Sequence, residues 1–330
     1  MSGSRHDGYV STGHLPSADR VQLLVDEAHE RFASTTEGHN STVYPALRDV
    51  PPDLFGICVV QTDGTVHSSG DADVEFTIMS VAKPFVFALV CQELGAATTR
   101  NRLGVNATGL PFNSLAAVER GDQGRTNPMV NPGAIATTQL APGSDAGAQW
   151  DFLVSGLSAF AGRPLHLDEQ MYASASATNH RNQSMARLLQ DYGRLEGDPA
   201  AAVDLYTRQS CLAVSAHDLA VMGATLADGG VNPVTGVRVV EPRTCHHTLA
   251  VMATAGLYET SGDWLYDIGL PAKSGIGGGI VTSAPGKGGL GTFAPRLDDA
   301  GNSVKGQLAA RFLSEQLGLN LFVSEPHQAG

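Results

Sequence analysis

Ser80-Val81-Ala82-Lys83 sets a hydroxyl and an amine three residues apart, and on a helix that spacing puts both on one face within reach of each other. Such a pair can serve as nucleophile and base if the amine is neutral. That requires lowering a lysine pKa by roughly 3 units from about 10.4, which burial does by penalising the charged form. Phe76, Met79, Phe85 and Phe87 supply an apolar setting. The tetrapeptide alone is weak, since a surface Ser and Lys share the spacing by chance. A second cluster adds to it: Lys273-Ser274-Gly275, then Ile276 and the glycines 277 to 279. Three glycines entering a strand let a backbone approach a ligand closely, although the same run also describes a flexible loop.

The elements that must position these residues follow from the hydrophobic pattern. Residues 1 to 16 read as a disordered tail. Val21, Leu24, Val25, Ala28 and Phe32 then recur at helical spacing behind Ser17 as cap. Phe55 to Val60 reads as a buried strand, and Asp63-Gly64 as a two-residue I′ turn into a second strand. Ser80 to Leu94 is almost wholly apolar and closes at Gly95, which predicts a buried helix with Ser80 at its N-terminal end and Pro84 in its first turn. Helices are expected over 150–160, 182–192, 201–212 and 215–226, strands over 279–284 and 290–294, and a last helix over 303–317 ended by Gly318. Strands and a helix, a helical block, then strands and a helix again predict an α+β fold. A mixed or antiparallel sheet with flanking helices would be built from 17–100 and 240–320, with 101–239 as an inserted helical domain and 321–330 as a tail. The cleft between the two is where a site is expected.

Composition excludes several classes. At 330 residues with 42% hydrophobic and 16% charged, the chain has material for a core and too little charge for a disordered or coiled-coil protein. Its 21 Lys+Arg against 33 Asp+Glu give a net charge of -12, the wrong sign for a phosphate-backbone binder, so no nucleic-acid partner is expected. No run of 18 apolar residues occurs and the N-terminus lacks the apolar segment of a secretory signal. A cytoplasmic protein that does not enter the membrane is expected. Cys58, Cys91, Cys211 and Cys245 form no C-x-x-C pair and read as buried thiols in a reducing compartment. Gly286 to Gly291 fits G-x-G-x-x-G but no helix follows, which defeats a dinucleotide reading. His246 and His247 are adjacent, are expected to point apart, and lie in no metal-ligand pattern.

Penicillin-recognising serine enzymes pair S-x-x-K with K-[ST]-G, whose cation and hydroxyl line the pocket. The fuller pattern is more specific. Gly70-Asp71, Phe76 to Pro84, Gly109 to Ser114, Asn127-Pro128-Met129-Val130-Asn131-Pro132-Gly133, Arg181-Asn182, Asp204-Leu205-Tyr206, Gly256-Leu257-Tyr258 and Leu270 to Ile280 together resemble the serine-dependent glutaminases. These are relatives of the serine β-lactamases, and the likeness runs from about residue 36 to 318 in consistent order. The resemblance implies a serine β-lactamase-like fold that hydrolyses L-glutamine to L-glutamate and ammonia. It implies Ser80 as acylated nucleophile, Lys83 as its proton acceptor, and Tyr206 and Tyr258 for proton relay and substrate contact. Asn131 and Asn182 would hold the substrate's α-substituents, and the N–H groups of Ser80 and Ile276 would form the oxyanion hole. It implies a small-molecule substrate, no metal or organic cofactor, and a homodimer or homotetramer.

Two positions depart from the pattern. The family carries a glutamate where Ala175 stands and a tyrosine where Val43 stands, with Tyr44 one place on. A carboxylate that would pair with the substrate α-ammonium is therefore missing, unless Glu169, a shifted register or ordered water replaces it. Pro132 stands where alanine is usual, a smaller change. Besides the glutaminase, three readings follow: a related amidohydrolase whose substrate lacks a free α-ammonium, a penicillin-binding protein or β-lactamase, and a catalytically silent amide or amino-acid binder. The missing export signal argues against the second of these, and the retained Ser80 and Lys83 against the last.

Overall fold

The computed structural model describes residues 13–324. Of the expected tails, 1–12 and 325–330 lie outside the described residues, while 13–16 lead without regular structure into the helix Ala18–Phe32. Seven strands are present among the described residues: β1 (Gly56–Gln61), β2 (Val66–Gly70), β3 (Phe76–Thr77), β4 (Ala213–Val214), β5 (Ala272–Ser274), β6 (Gly279–Ala284) and β7 (Gly288–Phe293). Five make one wholly antiparallel sheet in the order β2-β1-β7-β6-β5, so strands from both ends of the chain meet between β1 and β7. β3 and β4 pair separately. The fold is α+β, as the alternation of elements predicts.

β1 reads as a continuous apolar run because both faces of the sheet are covered. Ile57 and Val59 pack with Val21, Leu24 and Leu313 from the helices Ala18–Phe32 and Val304–Gln316. Cys58 and Val60 point the other way, onto Ala220, Val221 and Ala224 of the helix Ala216–Ala227, as a period of two requires. That helix sits very close to the sheet. A Cβ at Gly291 would lie 2.0 Å from the Ala216 carbonyl oxygen and one at Gly289 2.2 Å from that of Ala220, so only glycine fits there. The segment falls within the stretch read as helical insertion, yet it serves the sheet. The helix Ala82–Leu94 is buried from Ala82 through Cys91, as its unbroken apolar sequence predicts, and is surrounded by the helices Asn131–Gln139, Ala146–Ala161 and Pro242–Ala255.

Three local expectations need correction. The β1–β2 connection is not a two-residue I′ turn. Thr65 O accepts from Gln61 N–H at 2.9 Å, and only Gly64 in the loop has a positive φ, +86°. The Asp63 carboxylate instead accepts from the Thr65 N–H at 2.9 Å, which stabilises a three-residue loop with a left-handed glycine last. Ser17 occupies the N-cap but its side chain makes no cap bond, whereas Ser303 caps the last helix by accepting from Gly306 N–H. His246 and His247 do not point apart: their rings stack at 4.9 Å. Among the described residues no three His, Cys, Asp or Glu side chains gather as a metal site would need, and no helix is long and apolar enough to cross a membrane.

Candidate active site

Ser80 stands where an extended segment turns into the central helix. β3 ends at Thr77, Met79 takes a left-handed φ of 48°, and a short 3-10 turn, Met79–Val81, hands the chain to the helix Ala82–Leu94. Among the described residues only three non-glycine residues have positive φ, and two of them, Met79 and Tyr258, adjoin this site. Such conformations cost of order 1 to 3 kcal/mol and persist where the surrounding fold imposes them. The consequence here is a serine hydroxyl in the wall of a cleft with the Lys83 amine one helical turn on, in the interior.

Lys83 is 2% exposed, and burial brings its amine down to about 7. Its Nζ donates to Asn131 Oδ1 at 2.7 Å and to Met129 O at 3.3 Å. Among the described residues no hydrogen bond joins it to Ser80. The shared helical face brings the two residues to one site, but the amine is held from the Asn131 side. Tyr206 donates to the same Asn131 Oδ1 at 3.2 Å, and Tyr258 donates to Ser274 O at 3.3 Å. Burial raises both phenols, Tyr206 well above its ordinary value and Tyr258 to about 12, while hydrogen bonding with Ser80 opposes the shift in each. Both hydroxyls therefore stay neutral beside the serine, each donating its proton to another acceptor, Asn131 Oδ1 or Ser274 O.

The Lys273-Ser274-Gly275 motif lies on β5 and behind the cleft, not in its wall. Lys273 is fully buried and donates to Gly256 O at 2.9 Å and Ser274 O at 2.7 Å, with its amine 4.3 Å from the centre of the Tyr258 ring. Burial, and then the Lys83 charge, push its pKa well down. Ser274 Oγ donates to Asn302 Oδ1. Unlike the pattern of the penicillin-recognising enzymes, this cation and hydroxyl are not among the residues lining the cleft; their contacts brace Tyr258 and the backbone. The glycines that follow have a clear use. A Cβ on Gly277 would stand 2.6 Å from Thr77 O, and one on Gly275 3.1 Å from Ile78 O and 3.3 Å from Ser80 N. Their absence of side chains lets the Ile276 backbone lie against the Ser80 turn. Among the described residues neither Ser80 N–H nor Ile276 N–H has an acceptor in the turns and loops.

The cleft is lined by Ser80, Asn131, Asn182, Tyr206, Ile276, Val43 and Ala175 of the expected residues; Lys83 does not line it, and Tyr258 lines an adjoining cavity that shares Phe112 with it. Asn131 Nδ2 donates to Asn182 Oδ1 at 3.1 Å, Asn182 Nδ2 to Asn179 Oδ1 at 2.6 Å, and Asn179 Nδ2 to Thr207 Oγ1. These amides form one directional chain ending at the Val203 carbonyl, which Thr207 reaches at 2.7 Å. Asn179 and Thr207 lie in no motif that the sequence marks, although Asn179 precedes Asn182 by three, a helical spacing that points to it. Tyr44, one place on from Val43 in sequence, lines the cleft beside the exposed Val43, so an aromatic ring is present despite the one-residue shift. Glu169 does not supply the missing carboxylate: it is exposed at the far end of the helix Glu169–Ala177 and does not reach the cleft. Phe112, packed 4.5 Å from the Tyr258 ring, and Arg181 complete the wall.

Residues 38–322 match the model of the glutaminase family. The chain is 68% identical to Glutaminase 2 of Yersinia pestis over 97% of this chain and 94% of the relative. It is 44% identical to a glutaminase of Brucella canis over 93% of this chain and 97% of that one. A solved structure described as a probable glutaminase, ybaS, superposes with a TM-score of 0.92 at 40% identity, covering 94% of this chain and all of that one. A Bacillus glutaminase superposes at 0.82 with 29% identity, covering 92% of this chain and 99% of that one. With a buried lysine whose amine is brought down to about 7 next to a serine in a strained turn, and this likeness along nearly its whole length, the chain belongs to the serine-dependent glutaminase family of the β-lactamase-like fold.

Proposed function

We propose that this protein hydrolyses the side-chain amide of L-glutamine to L-glutamate and ammonia through an acyl-Ser80 intermediate. The observation that carries this is Lys83: a lysine amine brought to about 7 by burial is half neutral at neutral pH and can take a proton from the adjacent serine. As Ser80 Oγ attacks the amide carbon, its proton passes to Lys83, directly across the helical turn or through the Tyr206 or Tyr258 hydroxyl. Charge developing on the carbonyl oxygen meets the Ser80 and Ile276 N–H groups, each worth about 3 to 4 kcal/mol in other hydrolases. Return of the proton to the amide nitrogen releases ammonia, and water, activated by the same base, cleaves the ester. The chemistry asks for no metal or organic cofactor.

In this reading Asn131 has two tasks: its oxygen orients Lys83 and Tyr206, and its nitrogen starts the amide chain through Asn182 that shapes the substrate end of the cleft. The reading includes a cytoplasmic enzyme, supported by four unpaired and buried thiols, and a homodimer or homotetramer, which light scattering on the purified protein tests. Ammonia release from millimolar L-glutamine, compared between wild type and Ser80→Ala, tests the activity. Saturable release that vanishes in the variant is expected; release that persists in Ser80→Ala refutes the acyl-serine route. A silent amide binder is disfavoured by Lys83 itself, since holding an amine unprotonated in the interior contributes nothing to binding alone.

A further inference from the structure

No aspartate or glutamate is among the described residues that line the cleft beside Ser80, so the wall offers the α-ammonium of L-glutamine neutral oxygens only. The amide chain sets their directions. It starts at a donor, the Lys83 amine, and ends at an acceptor that has no proton to give, the Val203 carbonyl oxygen. Between those ends every side chain donates toward Val203: Asn131 to Asn182, Asn182 to Asn179, and Asn179 to Thr207, whose own proton goes on to the carbonyl. A carboxamide oxygen carries two lone pairs. Asn131 Oδ1 uses both, on Lys83 and Tyr206. Asn182 Oδ1 and Asn179 Oδ1 each accept a single bond among the described residues and keep a lone pair.

Asn179 occupies the corner of the cleft where the sequence departs from the family pattern. It lies in the short link between the helices Glu169–Ala177 and His180–Asp191, four residues on from Ala175, and both residues line the cleft. Only 5% of Asn179 is exposed. Its donation to Thr207, and that of Thr207 to Val203, polarise the amide and strengthen its oxygen as an acceptor. Oriented neutral oxygens can replace the water that a cation sheds, as carbonyl rings do in ion filters; oxygens free to turn away would leave the cation unmatched.

We infer that, on the glutaminase reading, Asn179 is a specificity-determining residue: its Oδ1, with that of Asn182, receives the substrate's α-ammonium where Ala175 leaves no carboxylate, and Thr207 is the positioning residue that keeps this oxygen toward the substrate.

The test measures ammonia release from L-glutamine and from glutaramate, which has the same amide and carboxylate without the α-ammonium, in wild type, Asn179→Ala, Asn179→Asp, Thr207→Val and Thr207→Ser. The readout is the ratio of the two kcat/KM values, in which effects common to both substrates cancel. Wild type is expected to favour L-glutamine. In Asn179→Ala the loss on L-glutamine should exceed the loss on glutaramate by about tenfold, through KM. Asn179→Asp keeps the shape and adds a charge, with the Thr207 hydroxyl able to turn to its second oxygen, so the ratio should rise by about threefold or more. Thr207→Val keeps the shape but removes the group that orients Asn179 and should lower the ratio, whereas Thr207→Ser should restore it. If Asn179→Ala does not fold, because Asn182 loses its acceptor, the aspartate variant and the Thr207 pair decide. Equal losses on both substrates across these variants, or a ratio unmoved by Asn179→Asp, overturn the inference and leave the glutaminase standing. No release from either amide in wild type, with Ser80 unlabelled by a reactive amide analogue, overturns the glutaminase reading and the inference with it.

Discussion

Lys83 Nζ lies 2.7 Å from Asn131 Oδ1, and the amide nitrogen of that same asparagine donates to Asn182 at 3.1 Å. One side chain therefore couples the proposed proton acceptor to the asparagine wall of the cleft. Because Asn131 Oδ1 also accepts from Tyr206, the amide's orientation is set by three donors and acceptors at once, and the lysine is located without any negative charge beside it. A neutral acceptor leaves burial to govern the lysine's pKa.

Asn131→Asp tests that arrangement. A carboxylate in place of the amide stabilises the ammonium form of Lys83, so the pKa of the amine rises from about 7. The acid limb of the kcat/KM profile should move upward by a unit or more, about, with activity at neutral pH falling tenfold or more. A pH profile on L-glutamine reads this directly, and an unmoved limb would separate Asn131 from the base.

The wild-type profile itself follows from the same value. Lys83 must be neutral to accept a proton, so kcat/KM is expected to rise with pH through about 7 and level off above it. Stability moves in the same sense. The folded pKa lies below the value of 10.5 for the unfolded chain, so between about 7 and 10.5 the unfolded state binds the extra proton. The cost of burying the charge is full below 7 and is relieved as pH rises through that window. Lys83→Met should abolish activity by about three decades or more and raise Tm relative to wild type most at acidic pH.

Gly277→Ala is expected to damage catalysis more than folding. Its Cβ would stand 2.6 Å from the Thr77 carbonyl oxygen, and relief of that clash moves the Ile276 N–H away from the Ser80 turn. Loss of one oxyanion donor costs about 100-fold to 1000-fold in kcat, with KM little changed. Rates under saturation, set beside a denaturant melt, distinguish this from general destabilisation.

Arg163→Ala probes the scaffold and not the site. The Arg163 guanidinium grips Asp218 at 2.8 and 2.6 Å and Glu75 at 2.9 Å, and Asp218 also closes the capping box of the helix Ala216–Ala227. Asp218 is 5% exposed, so removing its cation leaves a buried charge and should cost about 2 to 4 kcal/mol. Chemical denaturation should report that loss while kcat per folded molecule stays unchanged.

Residue types and spacing alone determined a good deal about this protein: the Ser80/Lys83 pair, the central helix to Gly95, the β6–β7 hairpin, a sheet built from both ends of the chain, and a likeness specific to one family. These are local or ordered features, written in periodicity, breakers and motif order, and they survive without knowledge of long-range contacts. What only the tertiary structure decided depends on which distant side chains share a few ångströms. It set Lys83 on Asn131, 48 residues away, turned Lys273 and Ser274 into a brace behind the cleft, brought Tyr44 into the wall, and left Glu169 outside it. It also laid the helix Ala216–Ala227 on the sheet, where Gly289 and Gly291 admit its backbone. A linear pattern specifies which face of an element is apolar; the partner that covers that face, and the charge that reaches a cleft, are fixed by packing among all the elements together.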